Sequence, residues 1–189
     1  MSGQAVLSRY YAHSAEGVTD SEWQLLSDHL ISVGQKAAQK AGHFGATELA
    51  EIAGLLHDLG KYTVEFQQRL RGSTIKVDHS THGALIALQH FKHNPLIGTL
   101  LAYSIAGHHA GLADTRETSD KQTITDLQRR LAAKELPLLD DTWKQEIDLK
   151  TDINKLTITP LNTTNGIAFQ LSVLGRMIYS CLVDADFLD

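Results

Sequence analysis

His57 and Asp58 stand side by side after the apolar run Leu55-Leu56 and just before Leu59-Gly60-Lys61. Adjacent helical residues lie about 100° apart, so this pair flanks one ridge and can present an imidazole nitrogen and a carboxylate oxygen to one ion above it. Mixed nitrogen and oxygen donors suit a divalent first-row metal. Lys61, beyond Gly60, would bring a mobile cation to the same place. Further donors recur along the chain: His29, His79 and His82 in Val77-Asp78-His79-Ser80-Thr81-His82, the pair His108-His109 after Gly107, and Asp184 and Asp186 close to the end. A histidine pair bracketed by glycines at the end of a buried helix needs a binding partner, because buried polar groups are as a rule satisfied. A donor from each of five elements exceeds what one four-coordinate ion requires and fits two ions with positions open for water and substrate.

These donors must be positioned by helices. A helix is predicted from an Asp20 cap to Gly42, with Trp23, Leu26, Leu30, Val33, Ala37 and Ala41 on its apolar face and His29 beside that stripe. A second runs from a Thr47 cap through Leu49, Ile52, Ala53 and Leu56 to a Gly60 stop, carrying His57 and Asp58 on its last turn. Thr63 caps a short helix to Leu70, and Ser80 or Thr81 opens a fourth that ends near His93. Asn94-Pro95 opens a fifth, strongly apolar helix that runs into the histidine pair. The final helix is read from Ile167 to the end, with Phe169, Leu171, Leu174, Ile178, Cys181 and Leu182 inward. His13 reads as exposed, and His90 and His93 as partners of a helix dipole. Residues 113–162 change character and hold no histidine, which suggests a peripheral insertion or lid. The expected fold is all-α, a single helical bundle around a histidine and aspartate metal centre.

The bulk composition narrows the function further. A chain of 189 residues can bury a sizeable core without disulfides, so a metal would serve chemistry rather than folding. The single Cys181 fits a reducing cytoplasm. The first residues lack a signal-peptide pattern, and the apolar stretch Leu96 to Ala106 is too short to span a bilayer, so no membrane partner is expected. A net charge of −5 argues against binding nucleic acid by overall charge. A polyanionic substrate would have to be held locally, and bound divalent cations would reverse the sign of a pocket. Arg69, Arg71 and Lys76 form a modest basic cluster that reads as solvated surface.

In order, the strings HDLGK, EFQ, VDHS, GHHAG and LVDADF resemble the HD-domain nuclease of the CRISPR-associated helicase–nuclease family of type I systems, from His29 to the C-terminus. The resemblance implies a ligand set of His29, His57, Asp58, His79, His108, His109 and Asp186 holding two divalent ions (Mn, Ni, Co, Fe or Mg), with Asp58 and Lys61 in catalytic roles. It prefers His79 to His82, by its place in the DHS string, and Asp186 to Asp184, because it follows alanine and precedes an aromatic. It implies cleavage of single-stranded DNA in antiviral defence, whether from within as an endonuclease or from an end, alongside a helicase domain or subunit and a CRISPR RNA-guided surveillance complex. No GxxxxGK[ST] loop is present, so the expectation is an excised nuclease domain or a separate nuclease subunit. The mechanism implied is two-metal hydrolysis, with Lys61 offsetting charge on the phosphate oxygens. Alternatives are an HD phosphohydrolase acting on nucleotides or cyclic nucleotides, and a non-catalytic metal-binding adaptor docking through residues 113–162. Leu112-Ala113-Asp114 stands where a GYP string would have favoured cyclic dinucleotides.

Overall fold

The computed structural model describes residues 9–112, 126–132, 135–149 and 163–189. Eight α-helices are found among them: α1 (Leu26–Ala41), α2 (Thr47–Leu56), α3 (Val64–Leu70), α4 (Thr81–His90), α5 (Pro95–Gly107), α6 (Asp126–Leu131), α7 (Trp143–Glu146) and α8 (Thr164–Phe187). The described residues contain no β-strand, and their one extended pairing is an isolated bridge between Tyr11 and Leu25. The all-α expectation therefore holds.

The core forms where the apolar stripes of α1, α2, α5 and α8 meet, with α4 packed on α5. Leu26, Leu30, Val33, Ala37 and Ala41 of α1 are fully buried, and they belong to one core with Leu49, Ile52, Ala53 and Leu56 of α2. Each leucine so enclosed contributes roughly 1.5–3 kcal/mol relative to an exposed one. In α8, Leu174, Ile178, Leu182 and Ala185 form the buried stripe at three- and four-residue steps. At 24 residues, α8 is the one helix among those described that is long and apolar enough to cross a membrane by length and composition. Here its buried stripe packs on α1, α2 and α5.

Several element ends differ from the periodicity. The helix predicted from Asp20 is broken at Trp23, whose backbone is extended. Asp20–Glu22 is a separate 3-10 turn, with the Glu22 carboxylate accepting from the Thr19 N–H. The cause is pairing with the preceding segment: Ala12 N–H donates to Gln24 O at 3.0 Å and Leu26 N–H to Tyr10 O at 2.8 Å, so residues 23–25 are drawn out of the helix. Thr47 is the first helical residue and not a cap. Thr63 does cap α3, accepting from the Phe66 N–H. The fourth helix stops at His90, short of His93. The last helix starts earlier than Ile167, at Thr164, where Thr163 caps it by accepting from the Gly166 N–H at 3.0 Å. Phe169, read as inward, is 67% exposed, while Leu171 and Cys181 are partly buried against the core.

Residues 113–162, read as a peripheral insertion or lid, contribute to the core where they are described. Leu127, Trp143 and Ile147 are buried in it, Asp140 N–H donates to Tyr62 O, and Tyr62 Oη donates to Glu146 at 2.6 Å. The rest of that stretch lies outside the described residues.

One backbone crossing brings α4 onto the end of α2. Gly83 lies so close to Leu56 that a Cβ there would overlap the Leu56 carbonyl oxygen, and backbone on both sides leaves no flexible atom to yield. Gly83→Ala is therefore expected to lose at least the roughly 1–3 kcal/mol typical of overpacking, read as a lower denaturation midpoint with unchanged denaturant slope. Wild-type stability in this variant would mean that α4 does not sit at this depth.

Candidate metal centre

The predicted donors are delivered by the ends of different elements. α2 closes at Leu56, and His57 keeps helical torsions as its C-terminal flank. Asp58 then leaves the helix, and Leu59–Lys61 form a 3-10 turn. Gly60 is not the helix terminator that the sequence suggests. Its N–H donates to His79 O at 2.8 Å, and a Cβ there would lie 2.5 Å from that same oxygen. Gly60 thus lets the His79 segment dock on the His57-Asp58 turn.

Asp58 is fully enclosed, and its two oxygens face opposite ways. Oδ2 lies 3.4 Å from His57 Nε2 and 3.6 Å from His29 Nε2. Those two imidazole nitrogens also lie 3.3 and 3.5 Å from Asp186 Oδ1. Oδ1 lies 3.3 Å from His108 Nε2 and 3.5 Å from His79 Nε2, and the His109 ring stacks beside that of His108 with centroids 4.0 Å apart. The result is two donor groups that share Asp58: His29, His57, Asp58 and Asp186, and Asp58, His79, His108 and His109. Within each, one donor atom per residue lies within 4.8 Å of the others. These are the seven residues named from the sequence.

The ring nitrogens that face away from the cluster are committed elsewhere, which aims the Nε2 atoms inward. His57 Nδ1 donates to Gly54 O at 2.7 Å and His108 Nδ1 to Ile105 O at 2.7 Å. His29 Nδ1 donates to the Asp189 carboxylate at 2.8 Å, which also accepts from Lys36 Nζ at 2.6 Å and Gln24 Nε2 at 2.7 Å. A carboxylate behind a histidine fixes its orientation and raises its basicity as a ligand. Sequence reasoning missed Asp189; its one signal is its place three residues after Asp186.

Lys61 corrects a second expectation. Its cation is fixed rather than mobile: Lys61 is 3% accessible, 2.6 Å from Asp58 Oδ2, and donates to Ala12 O at 2.9 Å. Burial opposes ionisation of Asp58, but the His57 and Lys61 charges outweigh it and hold the carboxyl well below its ordinary range. Burial likewise works against charge on His57, and the Asp58 and Asp186 carboxylates overcome it and hold the imidazole above its ordinary value. Burial pushes His79 down to about 4, with Lys61, His108 and His109 adding to the effect, so it is neutral at pH 7.

The competing assignments separate spatially. His82 turns away and its Nε2 donates to Pro137 O at 2.9 Å, while Asp184 is ion-paired with Lys40 at 2.5 Å. His13, read as exposed, is so, yet its ring stands edge-on to His29 with centroids 5.0 Å apart. Arg71 is committed to Asp20 at 3.2 Å and to the faces of Tyr11 and Trp23.

The donor set fits a divalent cation on its own chemistry. Asp58 Oδ1, both ring nitrogens of His79 and Nε2 of His108 are buried without a hydrogen-bond partner, a cost that native interiors rarely carry unless something binds there. A helical bundle with a shared carboxylate among converging imidazoles is a scaffold for divalent metal binding. The HD domain family matches residues 26–141, more than half of the chain, and the chain belongs to it. HD domains are in general metal-dependent phosphohydrolases, and this one carries a centre suited to a divalent metal. Comparison with curated proteins gave no match.

Because the Asp58 and Asp186 carboxylates raise the affinity of His57 for a proton, a cation bound between His29, His57 and Asp186 competes with that proton. Metal binding at pH 7 is expected to release about one proton, and affinity to rise with pH. Calorimetric titration at fixed pH in buffers of different ionisation enthalpy measures this directly; a binding heat independent of buffer would contradict it.

Proposed function

We propose that this chain is a two-ion phosphodiesterase that cuts single-stranded DNA: the HD nuclease of type I CRISPR interference, working in the cytoplasm with a helicase and an RNA-guided surveillance complex, and with no membrane. The observation that carries the two-ion reading is Asp58, whose Oδ1 and Oδ2 each face a separate donor group. The CRISPR assignment rests on the order of the HDLGK, VDHS, GHHAG and LVDADF strings, and the additional donors His79, His108 and His109 count against a single-ion phosphohydrolase of the same superfamily.

His29, His57, Asp186 and Asp58 Oδ2 would hold one ion, and Asp58 Oδ1, His79, His108 and His109 the other. When bound, two such ions supply Lewis-acid activation of water and neutralisation of charge on the attacked phosphate. Imidazole-rich donors favour Mn, Fe, Co or Ni over Mg. The chain's own contribution is to hold these donors rigid and to set which side is open. His29, His57 and His108 are buried at the back, whereas His109 is exposed and Asp186 and His79 are partly so. A phosphodiester backbone would approach from that side. Lys61 acts through Asp58, holding its carboxylate ionised rather than reaching the phosphate. In an acidic chain the bound ions provide the positive charge that a polyanion needs.

The test is circular single-stranded DNA incubated with metal-stripped protein resupplied with Mn²⁺, Ni²⁺ or Mg²⁺, beside Asp58→Ala. The expected outcome is metal-dependent linearisation that the variant reduces to background. A circle that survives every metal while the same folded protein hydrolyses nucleotides or cyclic nucleotides would replace the nuclease reading with that of a nucleotide phosphohydrolase. Tight metal retention with no hydrolysis of any phosphate ester would point to an adaptor.

A further inference from the structure

Arg130 belongs to the stretch whose sequence is hardest to read, yet its guanidinium bridges two of the segments that build the second donor group. Nη1 donates to the Ala106 carbonyl at 2.6 Å, two residues before His108. Nη2 donates to Ser80 Oγ at 2.6 Å, and Nη2 and Nε reach the Asp78 carboxylate at 3.1 to 3.3 Å. Asp78 in turn accepts from the Ser80 and Thr81 N–H groups at 3.0 Å and from Thr81 Oγ1 at 2.6 Å. The residues on both sides of His79 are therefore fixed by one planar cation, and the same cation ties them to the end of α5.

This clamp matters because His79 has nothing else of its kind. The rings of His29, His57 and His108 are each oriented by a hydrogen bond at Nδ1, whereas neither ring nitrogen of His79 has a hydrogen-bond partner. Apart from edge-on packing against Phe66, its placement depends on its backbone, held by the Gly60 N–H on one side and by the Arg130 network on the other. The bonds of Arg130 run to Asp78, Ser80 and Ala106, segments apart from those that carry His29, His57 and Asp186. Only a guanidinium offers a rigid fork of donors for a carboxylate, a hydroxyl and a carbonyl at once; a lysine ammonium keeps the charge and loses the fork.

We propose that Arg130 is a positioning residue for the second ion, setting His79 against His108 and His109 so that the three rings and Asp58 Oδ1 close on one cation. This rests on the two-ion reading above.

The experiment is metal content of the full chain after desalting, with calorimetric Mn²⁺ titration, for wild type, Arg130→Gln, Arg130→Lys and Asp78→Asn. Wild type is expected to bind two ions. Arg130→Gln is expected to keep one at near wild-type affinity and bind the other roughly 10–100-fold more weakly, the usual cost of losing an outer partner of a ligand, with Arg130→Lys also impaired. Adding Asp186→Ala to Arg130→Gln should remove the retained ion, and adding His109→Ala should leave it in place. Two ions at wild-type affinity in Arg130→Gln would overturn the proposal. Equal weakening of both ions in all the variants would reduce Arg130 to a general structural residue and overturn it as well. A wild-type chain that takes up a single ion would defeat the two-ion reading itself and this assignment with it.

Discussion

The arrangement depends on keeping one carboxylate ionised where almost no water reaches it. An isolated buried carboxylate is costly enough that it would ordinarily take up a proton. At Asp58 the cost is offset by Lys61 at 2.6 Å and by the protonated His57 beside it, so the anion persists and both oxygens remain available as donors. This constraint explains why so many elements end at one place. α1 brings His29, the turn after α2 brings His57 and Asp58, the segment before α4 brings His79, the end of α5 brings His108 and His109, and the last turn of α8 brings Asp186. Close backbone approach makes the convergence possible, with Gly60 against His79 and Gly83 against Leu56.

The two halves of the centre are stabilised differently. Around Asp58 Oδ2, orientation comes through the rings: Gly54 O holds His57, and Asp189, itself held by Lys36 and Gln24, holds His29. Around Oδ1, one ring is held that way, whereas that of His79 makes no ring hydrogen bond and is placed by its backbone and by edge-on packing against Phe66. Charge differs as well. In the first half the carboxylates of Asp58 and Asp186 shift His57 toward its charged form against burial, while His79 and His109 are pushed toward the neutral form, chiefly by burial.

Much of this was legible in the sequence because donors of an unusual kind recur at helix ends, and helix ends are marked by local signals. The Thr63 cap, the Asn94-Pro95 start and the α1 stripe from Leu26 to Ala41 follow from spacing alone. What was hidden depends on partners distant in sequence. A lysine after a helix reads as exposed unless its carboxylate is known to be buried, as with Lys61. Gly60 reads as a helix stop because the His79 carbonyl that needs its missing Cβ lies nineteen residues on. Trp23 follows the helical period, yet pairing of residues 24–26 with Tyr10 and Ala12 overrides it. Asp189 and Arg130 belong to no local motif, and only the fold brings them to His29 and to Asp78.

The central claim, that Asp58 is shared by two cations, is most directly tested by anomalous diffraction from crystals of the metal-free protein soaked in Mn²⁺. The account predicts two peaks flanking Asp58, one bound by Oδ2 with His29, His57 and Asp186, the other by Oδ1 with His79, His108 and His109. A single peak, or two peaks of which one makes no contact with Asp58, would contradict it.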